Sequence, residues 1–373
     1  MEAARPSASA RLLSLDVHRG LCVIAMMLVD WTGSWDQRYA VFEHADWLGV
    51  TPPDFIFPSL VFIAGFAIPL AVDREAPADA LFRRVLRRSL VLFACGVALN
   101  VFWDWEPGVP LFGKLRLMGV LQRYALIYPL AVWLYRALPP RRLMAVTAAL
   151  LVGYWLLLAY VPVPGFGPPD LTINPHGRAL TPTLATWVDE RVLGRHMGIF
   201  YPHDPEGLLP TLPALGTALI GVLAGAFWRR GGGTEERRLN RLFAWGVGLV
   251  VTGEVWSLAF PLGKKLWTSS FAVLTAGVAL LMLAALLWRL DLRQRRAFTG
   301  LPLWYGANAL LAIMAFTFID NVLRLLGVKD PVFALLSRAL PARDAAWVYS
   351  VAGILLLGLA FRALYQRRIF VRA

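Results

Sequence analysis

The stretch DFIFPSLVFIAGFAIPLAVD, residues 54–73, decides the fold of this chain. Between its two terminal aspartates it carries no ionisable side chain, and a helix of about 20 apolar residues crosses a hydrocarbon core of about 30 Å. Similar stretches recur, so that 58% of the chain is hydrophobic and only 16% is charged. Soluble domains are roughly 25% charged. The sequence therefore predicts an integral membrane protein.

Ten segments are predicted to span the membrane. They cover residues 15–32, 54–73, 88–104, 117–137, 143–161, 208–228, 242–260, 269–289, 301–321 and 345–364. Only helices and closed barrels satisfy their backbone hydrogen bonds inside lipid, and apolar runs of this length are typical of helices. The predicted fold class is an all-α polytopic membrane protein, a bundle of about ten transmembrane helices.

The net charge of +13 is distributed unevenly between the predicted loops. With an even number of spans both termini lie on one side. The segments of that side carry 24 of the 37 Lys and Arg residues, against 12 in the opposite loops and Arg123 within a span. Basic residues concentrate on the cytoplasmic side of membrane proteins. We therefore expect both termini in the cytoplasm, and we attribute the charge to topology in a lipid bilayer rather than to nucleic-acid binding.

The longest predicted connection covers residues 162–207, on the side opposite the termini, which is the periplasm or the cell exterior. Loops of this length without structure of their own are uncommon and are often functional. Within it, TPTLATWVDERVLGRHM (181–197) is predicted to form a short amphipathic helix across the outer mouth of the bundle.

Several ionisable residues fall inside predicted spans, where they are costly and indicate either function or structural pairing. Asp16 and Arg19 are three residues apart in the first span, so a pair on one helix face is the structural alternative for both. Asp30 lies near the outer end of the same span, and Arg123 lies inside the fourth.

Two lysines, Lys264 and Lys265, lie in the stretch FPLGKKLWTSSF (260–271), a predicted tight turn between the seventh and eighth spans on the outer side. The structural alternative for both is that their side chains extend to the membrane surface.

His44 lies in an outer loop within FEHADWLGVTPPDFIFP, residues 42–58. Glu43, Asp46 and Asp54 are close to it in sequence, and Asp30 precedes it at the end of the first span. A carboxylate that bonds one imidazole nitrogen sets the tautomer and leaves the other nitrogen to react. The pattern therefore suits proton abstraction or nucleophilic attack, whereas an ordinary solvated histidine is the structural alternative.

The histidines of the long outer loop are candidates for metal binding. His176, His196 and His203 share this loop with Asp204 and Glu206. No HExxH or comparable short spacing is present among them. The sequence therefore predicts no metal site.

Five stretches of unusual composition occur in order along the chain and cover most of the predicted spans. They are RLLSLDVHRGL (11–21), HADWLGVTPPDFIFPSLVFIAG (44–65), GVLQRYALIY (119–128), DPEGLLPTLPALGTALIGVLAG (204–225) and KKLWTSSFAVLTAG (264–277). Together they resemble the heparan-α-glucosaminide N-acetyltransferase family, and the likeness is closer to its shorter bacterial members.

This resemblance implies an enzyme that moves the acetyl group of cytoplasmic acetyl-CoA to the amino group of a glucosamine-type sugar on the periplasmic side. Residues 1–373 are then expected to form a single transmembrane acyltransferase domain in a bacterial inner membrane, crossing it several times. A homodimer is expected from the same resemblance, and acetyl-CoA is the only small-molecule partner expected besides the amino sugar.

The catalytic residues that the resemblance implies are His44, Asp54 and Asp30. His44 and Asp54 belong to the family motif HAxWxGxTxxD. At the end of the first span the family commonly has asparagine in a VNxxG-like context, whereas this chain has Asp30. Asparagine can donate a hydrogen bond to an acetyl oxygen, but an ionised aspartate only accepts. Asp30 is kept protonated, or orients His44, or reflects an altered activity.

Four residues are predicted to bind the acetyl donor: Arg19, Arg88, Arg123 and Lys264. The phosphates of CoA need cationic partners, and arginine is the favoured one. Arg19 matches the family stretch SLDxxRG, and Arg123 matches GVLQR, which places it along the path of the pantetheine arm.

Asp204, Glu206 and Asn308 are the predicted acceptor-binding residues. Asp204 and Glu206 precede the sixth span and are suited to an ammonium or to sugar hydroxyls, while helix packing is the structural alternative for Asn308. His44 is either the general base for the amine or the nucleophile that forms an acetyl-histidine, and only the second route predicts a trapped acetyl-enzyme.

A transporter for an amino sugar or another small solute is the competing function. In that case Asp30 and Arg123 serve binding or gating inside the membrane. A purely structural membrane subunit is the third class, and it leaves the histidine and the carboxylates at residues 42–58 without a role.

Overall fold

The structure, a computed structural model, describes residues 12–104, 115–172, 183–197 and 203–371. These residues form thirteen α-helices and no β-strand. The helices are α1 (Leu13–Asp30), α2 (Ile56–Ala71), α3 (Ala78–Asp104), α4 (Val120–Ala137), α5 (Pro140–Tyr160), α6 (Leu184–Val192), α7 (Thr211–Arg230), α8 (Glu235–Ser257), α9 (Ser269–Leu286), α10 (Gly300–Ala307), α11 (Ala309–Leu325), α12 (Lys329–Ala339) and α13 (Ala342–Gln366). The all-α prediction is confirmed.

The number of membrane spans is resolved in part. Six described helices, α2, α3, α5, α7, α9 and α13, are long and apolar enough to cross a membrane, and the bent pair of α10 and α11 brings the number to seven. The remaining predicted spans coincide with α1, α4 and α8, which carry ionisable residues within the helix. Ten spans, cytoplasmic termini and a homodimer stay predictions.

The inner part of the bundle is formed by α2, α7 and α9, most of whose residues are buried, whereas fewer than a third of the residues of α3, α5 and α13 are buried. Helices α2 and α7 approach each other at glycines. A methyl group added to Gly225 would lie 2.2 Å from the backbone oxygen of Phe66, and one added to Gly65 would lie 2.0 Å from that of Ala218. Small residues at these places let the two backbones pack directly.

The ninth predicted span is a broken helix. Helices α10 and α11 meet at Asn308 with a bend of 91°. The Asn308 side chain donates from Nδ2 to the backbone oxygen of Ile369 at 3.0 Å, and its Oδ1 accepts from the backbone N–H of Val371 at 2.8 Å. This asparagine therefore joins the bend to the segment that follows α13.

Helix α1 ends, and α2, α7 and α9 begin, at the same end of the bundle, which we call the His44 end. Two loops meet there. Gly49 donates its backbone N–H to the oxygen of Leu262 at 2.8 Å, and Gly49 forms an isolated parallel bridge with Gly263. Gly49 has φ of +92°, a conformation that favours glycine. The bridge brings the loop of His44 against the turn of Lys264.

The predicted short helix in the long connection is confirmed over part of its length. Residues 183–197 form α6 followed by a 3₁₀ turn, Gly194–His196, while 181–182 and His176 lie outside the described residues. The Thr183 side chain accepts the backbone N–H of Thr186 and so caps α6. Helix α6 packs against α5, and its predicted position across the outer mouth of the bundle stays a prediction.

Candidate active site

The position of Asp54 follows from a short 3₁₀ helix, Pro52–Phe55, that precedes α2. Proline at its first positions suits a helix start, and Thr51 and Asp54 form a capping box. One carboxylate oxygen of Asp54, Oδ2, accepts from the backbone N–H and the hydroxyl of Thr51, each at 2.9 Å, and from the N–H of Ala45 at 3.2 Å. Asp54 is fully buried and firmly held.

The second oxygen of Asp54 is left for the imidazole of His44. Its Oδ1 lies 2.7 Å from His44 Nδ1. The carboxylate side chain is inaccessible to solvent, whereas the imidazole is 37% exposed. A carboxylate at Nδ1 holds the proton on that nitrogen and leaves the lone pair of Nε2 for chemistry. The arrangement is that of an oriented general base or nucleophile.

Lys264 is the third member of this group. Its Nζ lies 2.9 Å from Nδ1 of His44 and 3.2 Å from Nε2, and it lies 3.5 Å from Oδ1 of Asp54. The Lys264 side chain is only 19% exposed. A carboxylate, an imidazole and an ammonium therefore meet at one point, where partial burial strengthens their electrostatic interactions.

A cavity of about 680 Å³ opens beside His44. Its apolar walls come from α1, α2 and the start of α4. Its ionisable lining residues are Asp30, Arg38, Glu43, His44, Asp46, His203, Glu206, Lys264 and Lys265. Cavities of 300–1,000 Å³ are of the size that binds small ligands. The cavity combines carboxylates and cations around one oriented imidazole.

Lys265 is placed differently from its neighbour. Its Nζ lies 4.0 Å from Oδ1 of Asp46, and its side chain is 17% exposed. Burial lowers the pKa of the Lys265 ammonium, an effect that Asp46 opposes and the Lys264 charge reinforces. The two adjacent lysines thus face different partners on the same cavity.

One wall of the cavity is the segment before α7, which an arginine holds. Arg116 donates to Asp204 from Nε at 3.2 Å and from Nη2 at 2.5 Å, and Nη2 also lies 2.5 Å from Oε2 of Glu206. Asp204 is fully buried and Glu206 is 8% exposed. Burial disfavours the charged guanidinium, but Glu206 and Asp204 outweigh it and raise the pKa of Arg116.

A second arginine, Arg123, bonds the backbone of the same segment before α7. It is fully buried in α4, and its Nη2 donates to the backbone oxygens of Pro205 at 3.0 Å and Gly207 at 3.3 Å. Its guanidinium also lies 5.1 Å from the ring centroid of Trp267. Its Nε and Nη1 are buried without a partner in the described part of the chain.

His203 joins three parts of the His44 end. Its Nδ1 lies 3.3 Å from the hydroxyl of Thr186 in α6, and its Nε2 lies 3.2 Å from the backbone oxygen of Lys265. Its ring meets the ring of Trp47 edge to face at 4.9 Å. Among the described residues no three His, Cys, Asp or Glu side chains are grouped so that they could hold a metal ion.

The sequence of the chain matches the profile of heparan-alpha-glucosaminide N-acetyltransferase, catalytic, over residues 11–262. This range contains the first part of the site, from Asp30 to Glu206, and about two thirds of the chain. The chain belongs to the heparan-alpha-glucosaminide N-acetyltransferase family.

Two curated members of this family illustrate the relationship. The mouse protein named heparan-alpha-glucosaminide N-acetyltransferase is 27% identical over an alignment of 368 residues, which covers 85% of this chain and 55% of the mouse protein. The human protein of the same name is 27% identical over 362 residues, which covers 83% of this chain and 53% of the human one. The chain spans about half the length of the curated relatives that it matches.

Most of the family residues predicted from the sequence meet at the His44 end. Asp30, His44, Glu206 and Lys264 line one cavity, and Asp54 bonds to His44 behind it. Asp204 lies behind the cavity wall and pairs with Arg116. Arg123 bonds the backbone oxygen of the next residue, Pro205. Their roles in catalysis or binding stay predictions.

Three other predicted residues of this family member are not on the cavity. Arg19 bonds Asp16 at 3.2 Å, as the predicted structural pair, and also bonds the backbone oxygen of Gly306 at 3.3 Å. Arg88 lies over the ring of Tyr128, 4.6 Å from its centroid. Asn308 serves the bend between α10 and α11, so its contacts are those of the structural alternative.

Sequence reasoning missed Arg116 and weighed His203 only as a metal ligand. Arg116 follows the third predicted span in a polar connection and carries no local signal of its own. Its partners are 88 and 90 residues away. The pairing was foreseeable only from the general expectation that carboxylates at the mouth of a helical bundle need a cation.

Proposed function

We propose that this member of the heparan-alpha-glucosaminide N-acetyltransferase family is an acetyl-CoA-dependent N-acetyltransferase. It transfers the acetyl group of cytoplasmic acetyl-CoA to the amino group of a glucosamine-type sugar on the periplasmic side. The observation that carries the proposal is the contact of 2.7 Å between His44 Nδ1 and the buried Asp54 carboxylate, beside a cavity of about 680 Å³. It supports a role of Nε2 as the reacting atom.

The chemistry requires a neutral amine and a leaving thiolate. The amine nitrogen forms a bond with the thioester carbon, the C–S bond breaks, and CoA leaves with the electron pair. His44 Nε2 takes the proton that the amine loses and passes it to the thiolate. In the covalent route Nε2 itself attacks first, and the amine then takes the acetyl group from it.

The carboxylates of the cavity support an amino sugar as the acceptor substrate. Asp30, Glu43 and Glu206 line it together with His44. An amino sugar is positively charged until it loses a proton, and carboxylates stabilise an ammonium held near them. This is the role proposed for Asp30 in place of the asparagine that the family commonly has there. Glu206 is further oriented by Arg116.

The donor is expected to reach His44 through the bundle. Several buried nitrogen donors of α3 and α4 have no partner in the described residues, namely Arg88 Nε, Gln122 Nε2, and Arg123 Nε and Nη1. The amide carbonyls of a pantetheine arm supply such acceptors. Arg19 and Arg88 are the arginines proposed to bind the CoA phosphates, because a guanidinium matches the geometry of a phosphate group.

The sidedness of the proposal rests on charge. The basic residues concentrate in the connections that share a side with the termini, and the loop of His44 belongs to the other side. A bacterial inner membrane with His44 facing the periplasm is the location that this distribution supports. A single acyltransferase domain over residues 1–373 is part of the same proposal.

The proposal is tested with purified protein in detergent, mixed with acetyl-CoA with and without glucosamine or a glucosamine-ended oligosaccharide. Free CoA and N-acetylated sugar are measured together. We expect sugar-dependent release of CoA in the wild type and its loss in His44→Ala. His196→Ala is the matched control, because that histidine bonds the backbone of Leu115 at 3.0 Å and does not line the cavity.

Two other outcomes distinguish the routes and the functions. CoA released without sugar, with an acetyl mass on the wild-type protein and none on His44→Ala, establishes the covalent route. No release with any amino sugar, combined with sugar uptake into proteoliposomes, overturns the proposal in favour of transport.

A further inference from the structure

The position of Lys264 over the His44 ring has a consequence for catalysis. Its Nζ is nearly equidistant from the two ring nitrogens, 2.9 Å from Nδ1 and 3.2 Å from Nε2. An approach in the plane of the ring at both distances would press the ammonium against Cε1, the carbon between them. The ammonium therefore lies over the ring face, and the in-plane lone pair of Nε2 stays open to a substrate.

The backbone of the turn fixes the position from which the Lys264 side chain extends. The backbone oxygen of Lys264 accepts a hydrogen bond from the backbone N–H of Trp267 at 3.0 Å. The backbone oxygen of Gly263 accepts one from the backbone N–H of Thr268 at 3.1 Å. Thr268 is fully buried, and the neighbouring Leu262 is bonded to Gly49 in the loop of His44. A side chain that extends from a fixed backbone and contacts both His44 and Asp54 has little reorganisation to undergo when charge develops next to it.

Acyl transfer develops negative charge on one defined atom. When an amine or Nε2 adds to the thioester carbon, the π electrons of the carbonyl move onto its oxygen. The oxyanion then returns these electrons as the C–S bond breaks and the CoA thiolate leaves. A carbon that reacts at Nε2 carries its oxygen within about 3 Å of a donor beside that nitrogen, which is the distance at which donors stabilise oxyanions.

We infer that Lys264 is the catalytic residue that donates a hydrogen bond to this acyl oxygen. The inference rests on the proposed transfer and extends it. The other cations of the cavity have different partners, since Arg38 donates to the backbone oxygen of Trp35 at 3.1 Å and Lys265 pairs with Asp46.

Charge balance favours the same assignment. The Asp54 carboxylate and the Lys264 ammonium offset each other while the imidazole is neutral. Once Nε2 has taken a proton, an imidazolium faces the ammonium, and a negative oxygen next to both relieves their repulsion. The charges of the site therefore suit the transition state better than the ground state, which is the condition for catalysis.

Kinetics separate this role from the phosphate-binding role that the sequence predicts for Lys264. A residue that binds the CoA moiety equally in the ground and transition states raises KM for acetyl-CoA when it is removed and leaves kcat unchanged. An oxyanion donor acts only in the transition state. Lys264→Met is expected to lower kcat by about 100-fold or more, with KM for acetyl-CoA within about threefold of the wild type.

A chemical rescue and an altered donor test the atom involved. Lys264→Cys treated with 2-bromoethylamine regains an ammonium of nearly the original length, and we expect kcat to recover, whereas treated Lys264→Met does not. With acetyl-dithio-CoA, in which sulfur replaces the carbonyl oxygen, the ratio of wild-type to Lys264→Met kcat is expected to shrink by about tenfold, because sulfur is a weak acceptor. Mere positioning of His44 would leave that ratio unchanged.

Arg237→Met, which removes an exposed cation remote from the cavity, is the control and should retain wild-type kinetics. Thermal melting of every variant in detergent identifies loss of folding, and Lys264→Gln provides a second variant that keeps a hydrogen-bond donor. Equal kcat in wild type and Lys264→Met, or a rise in KM alone, overturns the inference. Failure of the wild type to release CoA overturns the proposed function instead.

Discussion

His44 Nδ1 and Asp54 Oδ1 lie 2.7 Å apart although their residues are ten positions apart in the chain. The intervening loop closes because Thr51 and Ala45 bond the other oxygen of the same carboxylate. One buried aspartate therefore both caps a helix and orients an imidazole. Structural and catalytic consequences of changing it are coupled, and both are measurable.

Replacing Asp54 with asparagine is expected to lower kcat by about 100-fold or more, because the amide no longer selects the tautomer that leaves Nε2 with its lone pair. Initial rates of CoA release at saturating substrates measure the effect. Asp170→Asn is the matched control, since Asp170 is outside the cavity and bonds only the nearby Thr172 among described residues. Equal loss in both variants, or none in Asp54→Asn, contradicts the prediction.

Arg116→Met is expected to lower the free energy of unfolding by about 3–5 kcal/mol, because it leaves two carboxylates buried without their cation. The fully buried Asp204 and the 8% exposed Glu206 are the groups affected. Melting temperatures in detergent report the change. Arg237→Met removes an exposed arginine and should alter stability by less than about 0.5 kcal/mol; similar shifts in the two variants would show that the buried network contributes little.

Two glycine-to-alanine substitutions are expected to act in opposite directions. Gly225→Ala places a methyl group 2.2 Å from the backbone oxygen of Phe66, so α2 and α7 must separate at a cost of about 1–3 kcal/mol. Gly248 in α8 has no atom within 4 Å of such a methyl group, and Gly248→Ala should stabilise the helix by up to about 1 kcal/mol. Thermal melting of both variants is the measurement, and equal shifts refute the packing explanation.

Asp189 in α6 is expected to make stability depend on pH. Burial raises the pKa of its carboxyl group to about 7, and Asp204 adds to this while the N–H of Leu208 and the charge of Arg123 oppose it. The folded-state pKa is higher than the unfolded value of about 3.9, so the protonated carboxyl group stabilises the folded protein. This stabilisation is fully present below pH 3.9, roughly the unfolded pKa, and is lost as the pH rises through about 7.

Asp189→Asn removes this dependence, because the amide stays neutral. The melting temperature of the variant relative to wild type should rise as pH is raised from about 5 to about 8. Asp170→Asn is the control, because the pKa of Asp170 is lowered by its bonds to Thr172 and the group stays ionised throughout this range. A constant difference between Asp189→Asn and wild type would show that Asp189 does not titrate there.

The sequence identified the members of the site that are encoded locally. Hydrophobic runs predicted most helices, because burial in lipid demands long apolar segments. The family motif, which contains both His44 and Asp54, predicted the aspartate of the site, whereas proximity in the sequence alone left Glu43 and Asp46 as alternatives. The break at Asn308 was not foreseen, because the backbone groups that its side chain bonds, those of Ile369 and Val371, are 61 and 63 residues away in the chain.

By itself, then, the sequence determined a helical membrane bundle, a polar cluster at the end of one helix, and the residues of one reactive loop. Only the tertiary structure placed Lys264 on His44 across 220 residues and Arg116 on Asp204 across 88. Local patterns of hydrophobicity and turn residues act over a few positions. Which loops meet at one end of a bundle depends instead on how close its helices pack, and here that depends on contacts such as Gly225 against Phe66 and Gly49 against Leu262.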